Sequence, residues 1–187
     1  MKQQISLAQY RSIDLTILSV VLAASQVLIH FAASNWFADQ LYVVSPVAAV
    51  VALVMMRWGP WAAVQMVLGG VVYTLLSGGT AHHYLIYGGG NLLAIAALLM
   101  FRIWDKESIR KSATLTVVFA LCVQLLMQLG RTGVAALLGN DPATCLGFIT
   151  TDLLSELFTL FVAWSIRRVE GLFEDQKHYL LRIQSEQ

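Results

Sequence analysis

Met55-Met56-Arg57-Trp58-Gly59-Pro60-Trp61-Ala62-Ala63 is the stretch on which the reading of this chain turns. Apolar sequence flanks it, from Tyr42 to Met56 (holding Pro46) before it and from Trp61 to Leu76 after it. Read as one helix, these segments would bury Arg57 and break at Pro60, which lacks an N–H and clashes with the preceding turn. Read as two helices, the charge and the Gly-Pro step fall where a chain reverses. The second reading is adopted, although each arm is shorter than the roughly 20 apolar residues that cross a bilayer core of about 30 Å.

Four further apolar segments lie outside this pair: Ile13 to Ala33, Tyr84 to Phe101, Ala113 to Leu129 and Cys145 to Ile166. The expected fold is therefore an all-α membrane protein with six transmembrane helices. Composition agrees. Of 187 residues, 58% are hydrophobic and 12% charged, about half the charge of an ordinary soluble domain. Mean hydropathy is +0.69. These values exclude a soluble enzyme domain and a disordered chain. The net charge of +1 leaves no basic face for nucleic acid. Ile13 to Ala33 is too long for the apolar region of a cleaved signal peptide.

Charge sets the expected orientation, because Lys and Arg favour cytoplasmic loops. With six spans and both termini cytoplasmic, Lys2, Arg11, Arg57, Arg102, Lys106, Arg110, Lys111, Arg167, Arg168, Lys177 and Arg182 lie inside, and Arg131 alone of the 12 basic residues lies outside. The expected location is the cell membrane, as a multi-pass protein. Residues 1–168 form the membrane domain. Residues 169–187 differ: Val169, Leu172, Phe173, Leu180 and Ile183 recur near helical period among charges, which predicts a cytoplasmic amphipathic helix that either lies on the inner membrane surface or extends into the cytoplasm.

Ionisable and amide side chains inside spans are costly and usually face a bundle interior or a cavity. Gln124, Gln128 and Arg131 follow one face of the fifth span. Asp152 and Glu156 are four apart in the sixth, and Asn91 sits in the fourth. All lie in the outer half. Two readings stand together: a polar pocket open to the outside, and a salt bridge from Arg131 to Asp152 or Glu156 that clips two helices. His82, His83, Tyr84 and Tyr87 lie between the third and fourth spans. They fit an interfacial aromatic loop or a ligand contact; a metal site would need a third ligand, and none is evident nearby. Trp36 fits an interfacial anchor or a surface for stacking a ring. Ser19 and Ala23, four apart in the first span, allow close approach of another helix, within the bundle or from a partner. Glycines at Gly69-Gly70 and Gly88-Gly89-Gly90 thin the third and fourth spans, leaving room for a ligand or for tight packing. Cys122 and Cys145 read as small buried hydrophobes.

No GxxxxGK[ST] stretch occurs, so the chain has no phosphate loop for ATP. HExxH, GxSxG and CxxC are also absent, and no enzymatic activity, metal or cofactor is expected.

Several segments carry a family resemblance. Ile17-Leu18-Ser19-Val20-Val21-Leu22-Ala23-Ala24 resembles the first-helix AxxxA region of the substrate-binding S components of energy-coupling-factor vitamin transporters, with Ser19 in place of the first Ala. Ser45-Pro46 and the run through Arg57-Trp58-Gly59-Pro60-Trp61 resemble the second helix and its F-G-P turn in that family. Gly89-Gly90-Asn91-Leu92-Leu93-Ala94 is similar to its G-x-x-N region. The fifth and sixth spans match in type and placement only.

The resemblance implies high-affinity capture of a vitamin or related micronutrient from outside. It implies delivery inward with a transmembrane T component and two ATPase subunits, the S component toppling in the lipid. Ser19 and Ala23 would dock the T component. Arg131 would attract a carboxylate or phosphate, while Asn91, Gln124 and Gln128 would hydrogen-bond. Trp36, Tyr84 and Tyr87 would stack or close the site, and Asp152 and Glu156 would suit a cationic group. Two rivals use the same spans: a ligand-free membrane scaffold docking through its tail, and a small intramembrane enzyme using His82, His83 and Asp152 or Glu156.

Overall fold

A computed structural model describes residues 6–36 and 44–185. The first element, α1 (Leu7–Trp36), is a single long helix. After the loop come α2 (Val47–Trp58), a tight turn at Gly59–Trp61, and α3 (Ala62–Leu76). The next helix, α4 (Ala81–Arg102), is irregular, with a wide π-type segment at Tyr84–Gly89 and a tightly wound one at Asn91–Arg102. Then follow α5 (Lys106–Lys111), α6 (Ala113–Leu137), α7 (Pro142–Thr150), α8 (Leu153–Ile166) and α9 (Gln176–Ser185). No strand occurs among the described residues. Tyr42, the expected start of the second span, lies outside the described residues.

Five stretches are long and apolar enough to cross a membrane: α1, Val47–Leu76, α4, α6 and Pro142–Ile166. Six such spans were expected. The count differs because the second and third expected spans form one helical stretch that folds back on itself. Gly69 shows the reversal: a Cβ placed there would lie 2.6 Å from Val47 Cγ1. In one straight helix these positions would be about 33 Å apart. Gly59, at φ 60°, occupies the left-handed backbone region at the turn. The arms have 12 and 15 residues, about 18 and 22 Å of helix.

The shorter arm is the centre of the bundle. In α2, Val47, Ala48, Ala49 and every residue from Val51 to Arg57 are buried. Around it pack Leu22 of α1, Met66 of α3, Ala94 and Ala97 of α4, Phe119, Val123 and Met127 of α6, and Phe173. A helix apolar on every face belongs in such a position. By contrast, α1 keeps only Leu15, Leu22 and Gln26 buried and exposes Ile17, Val20, Leu28 and Phe31. In an amphipathic soluble helix that outer face would be polar; an apolar one suits lipid.

The basic residues gather at one end. Arg57 is buried there, and its guanidinium grips both carboxylate oxygens of Asp14, at 2.8 Å through Nε and 2.7 Å through Nη2. Its Nη1 donates to the carbonyls of Gly171 (2.6 Å) and Leu172 (3.0 Å). The turn therefore does not leave Arg57 in solvent: Asp14 and the chain after α8 cover it. Lys106 pairs with Asp175 at 2.6 Å, and Arg110 with Glu174 at 3.4 Å. Phe173 is fully buried in the main core. Residues 171–175 are thus packed against this end of the bundle.

Candidate functional site

At the end opposite Arg57, the wide segment of α4 passes α3 and α6 at backbone contact. A Cβ on Gly70 would overlap the Tyr87 carbonyl, and one on Gly130 would overlap the Gly90 carbonyl. Here the glycines serve tight packing. That packing sets Asn91 facing Arg131 across the α4–α6 seam, and the Arg131 Nε donates to Asn91 Oδ1 at 2.8 Å. Asn91 is fixed in turn, because its Nδ2 donates to the Met66 carbonyl of α3 at 3.0 Å.

The sixth expected span, Cys145 to Ile166, is interrupted. It is two helices, α7 and α8, with Thr151 and Asp152 between them. No proline or glycine sits at the interruption. Instead, Asp152 is held by its side chain. Oδ2 accepts from Arg131 Nη1 at 3.0 Å and from Gln124 Nε2 at 3.2 Å, and Oδ1 accepts from Ser155 Oγ at 2.9 Å. Ser155 Oγ also accepts from the Ser45 N–H at 2.9 Å, tying the start of α2 to the same cluster.

Next to this cluster lies a cavity of about 110 Å³. Asn91, Arg131 and Asp152 supply its polar wall. Tyr73, Tyr87 and Phe148 supply its aromatic wall, with Gly69 and Gly70 at its floor. The Tyr73 and Tyr87 ring centroids are 4.5 Å apart, and Tyr87 meets Phe148 edge-on at 5.8 Å. The Arg131 guanidinium lies 5.4 Å from the Tyr87 ring centroid, within cation–π range.

Of the residues expected at a site, Tyr87, Asn91, Arg131 and Asp152 meet on this wall, and Gln124 supports Asp152 from behind. Gln128 is buried between Gln124 and Arg131 in register on α6, off the cavity wall, and neither atom of its amide has a partner among the described residues. Glu156 is half-buried one turn beyond Asp152, also off the wall. Trp36, 72% exposed at the end of α1, is not on it either. His82 is exposed. His83 closes the start of α4, its Nδ1 accepting from the Thr80 N–H at 3.0 Å, and its ring stacks toward Tyr87 at 6.5 Å. Tyr84 is half-buried away from the cavity. No group of three His, Cys, Asp or Glu side chains gathers among the described residues.

Ser19 faces inward. Its hydroxyl accepts from Gln65 Nε2 at 2.9 Å, joining α1 to α3, and Ala23 is half-buried.

Sequence reasoning missed Tyr73, Phe148 and Thr151 as wall residues. A helical-period signal existed for each: Tyr73 follows Gly69 and Gly70 by four and three residues, and Phe148 precedes Asp152 by four. Asp14 was missed at the other end. It lies inside the first apolar run, where a lone carboxylate calls for a buried cationic partner.

No protein-family model, no curated protein and no solved structure matches this chain.

Proposed function

We propose that this protein is a membrane-embedded binding subunit. It captures a vitamin or related micronutrient from outside the cell and delivers it inward with a separate T component and two ATPase subunits, as the S components of energy-coupling-factor transporters do. The observation that carries this reading is the cavity bounded by Asn91, Arg131, Asp152, Tyr73, Tyr87 and Phe148. Small-molecule sites join an apolar, aromatic wall to a few fixed polar groups, and this cavity has both. It sits at the bundle end away from the basic cluster of Arg57, Lys106, Arg110 and Arg167. By the positive-inside rule, the basic end is cytoplasmic and the cavity faces outward. In this reading both arms of the Val47–Leu76 hairpin cross the bilayer, giving six crossings in the cell membrane with both termini inside. The chain binds and does not catalyse. Lacking a phosphate loop, it depends on separate subunits for ATP.

The test is mass spectrometry of small molecules extracted from the full-length protein after purification in mild detergent, alongside uptake by cells producing it. A stoichiometric compound is expected, lost together with uptake in Arg131→Ala. Absence of any extractable compound, with uptake of candidate micronutrients unchanged by Arg131→Ala, would overturn the reading. A single cysteine placed near His82 should react with an impermeant reagent added outside; reaction only after lysis would reverse the orientation.

A further inference from the structure

We infer that the ligand of the outer cavity is an uncharged molecule of single-ring size with a hydrogen-bond acceptor such as an amide or lactam carbonyl. This deepens the binding reading above and rests on it.

The inference begins with how Arg131 is used. A guanidinium holds a carboxylate best through two parallel N–H groups. The side-on pair, Nε and Nη2, is unavailable as a pair because Nε already donates to Asn91 Oδ1. The end-on pair shares Nη1 with Asp152. Among the described residues, Nη2 carries the one terminal nitrogen of this group not engaged in a hydrogen bond. Arg131 therefore keeps Nη2 as its fully free nitrogen, while its usual two-pronged edges for a carboxylate are already shared with Asn91 and Asp152.

Charge leads to the same class. Arg131 and Asp152 are both largely buried and compensate each other. An entering carboxylate would leave the Arg131–Asp152 pair and its ligand at net −1, and an entering ammonium would leave them at net +1. A buried charge without a counter-charge is costly in such surroundings. The carboxylate of Asp152 has its own bonds satisfied by Arg131, Gln124 and Ser155, so it has little to offer a cation. The neighbouring aromatic wall of Tyr73, Tyr87 and Phe148 suits a flat ring. A volume of about 110 Å³ is in the range of a cavity that takes one benzene-sized ring, about 150 Å³ in an engineered case.

The probes are ring-matched trios: the amide, carboxylate and aminomethyl forms of benzene, pyridine and pyrimidine. Each is titrated onto the full-length protein in detergent by calorimetry, and compounds extracted from the untreated protein are identified by mass spectrometry. The expected result is that an amide member binds at least tenfold more tightly than its charged partners. In Asp152→Asn, which removes the negative charge but keeps one carbonyl oxygen for Arg131 and Gln124 and turns its amide NH2 toward Ser155 Oγ, preference should move at least tenfold toward the carboxylate.

Tightest binding by a carboxylate or ammonium would overturn the inference and leave the transport reading standing. So would extraction of a charged or multi-ring compound with no trio member binding. If nothing binds and nothing is extracted, both readings fall. An unshifted preference in a folded Asp152→Asn protein also overturns the inference. Should that variant not fold, the order within the trios on the unmodified protein decides alone.

Discussion

Gly130 rests directly against the Gly90 carbonyl, with no room for a single added carbon between α6 and α4. One residue further along each helix, Arg131 bonds Asn91 at 2.8 Å. The close approach of two backbones thus places the polar wall of the cavity. Gly130→Ala should force the helices apart and destabilise the protein by about 1–3 kcal/mol, the usual cost of overpacking. Thermal unfolding in detergent measures the loss, and ligand retention should fall with it. An unchanged midpoint with full retention would show that the seam is slack.

The Arg131–Asp152 pair, at 3.0 Å with side chains 8% and 16% exposed, separates stability from binding. Asp152→Ala leaves a buried guanidinium without its counter-charge and should cost about 3–5 kcal/mol. Replacing both residues with leucine removes both charges and should restore most of that stability. The double variant should nevertheless lose ligand binding. Unfolding curves and ligand titration on the single and double variants check the two halves separately.

Asp14 plays the corresponding part at the other end, where it holds Arg57 with two bonds of 2.8 and 2.7 Å. Asp14→Ala should cost about 3 kcal/mol or more, because the cation stays buried without its partner. Arg57→Lys should not be tolerated as a mild change, since an ammonium cannot reproduce the planar two-pronged grip. Limited proteolysis should show earlier cleavage near Gly171 in both variants, because Arg57 also holds the Gly171 and Leu172 carbonyls.

The clasp between residues 171–175 and the bundle should open in acid. Burial alone would push the Asp175 carboxyl up, but the hydrogen bond and charge of Lys106 outweigh it and hold the group below its ordinary range. A carboxylate with a lowered folded pKa contributes its full stability above the ordinary value near 3.8 and loses it as pH falls through the folded value. Hydrogen exchange at residues 171–180 should be pH-independent near neutrality, after correction for intrinsic rates. Protection should drop below about pH 4. Asp175→Asn should show the low protection at every pH.

Gln128 presents the opposite case. Its amide is buried with neither atom partnered among the described residues. Gln128→Leu removes that burden at similar volume and should stabilise the protein by about 1–3 kcal/mol. A higher unfolding midpoint is the expected measurement, and a lower one would show that the amide has a partner such as bound water.

Sequence alone fixed the material of this protein. Apolar runs, sparse charge and a Gly-Pro step at residues 59 and 60 were enough to predict helices and a reversal at Arg57–Trp61, because hydropathy and backbone sterics are local properties. They also marked Arg131, Asn91, Gln124 and Asp152 as polar groups that needed a reason to lie in apolar helices. Tertiary structure decided which of them meet. Gln128 and Glu156 share faces with Arg131 and Asp152 by spacing, yet lie off the cavity wall, Gln128 a turn away along the uninterrupted α6 and Glu156 a turn into α8. The pairing of Asp14 with Arg57, 43 residues apart, and the burial of Phe173 depend on where whole helices pack. That is settled by close-packed volume and by matching buried charges across elements, and no stretch of adjacent residues contains it.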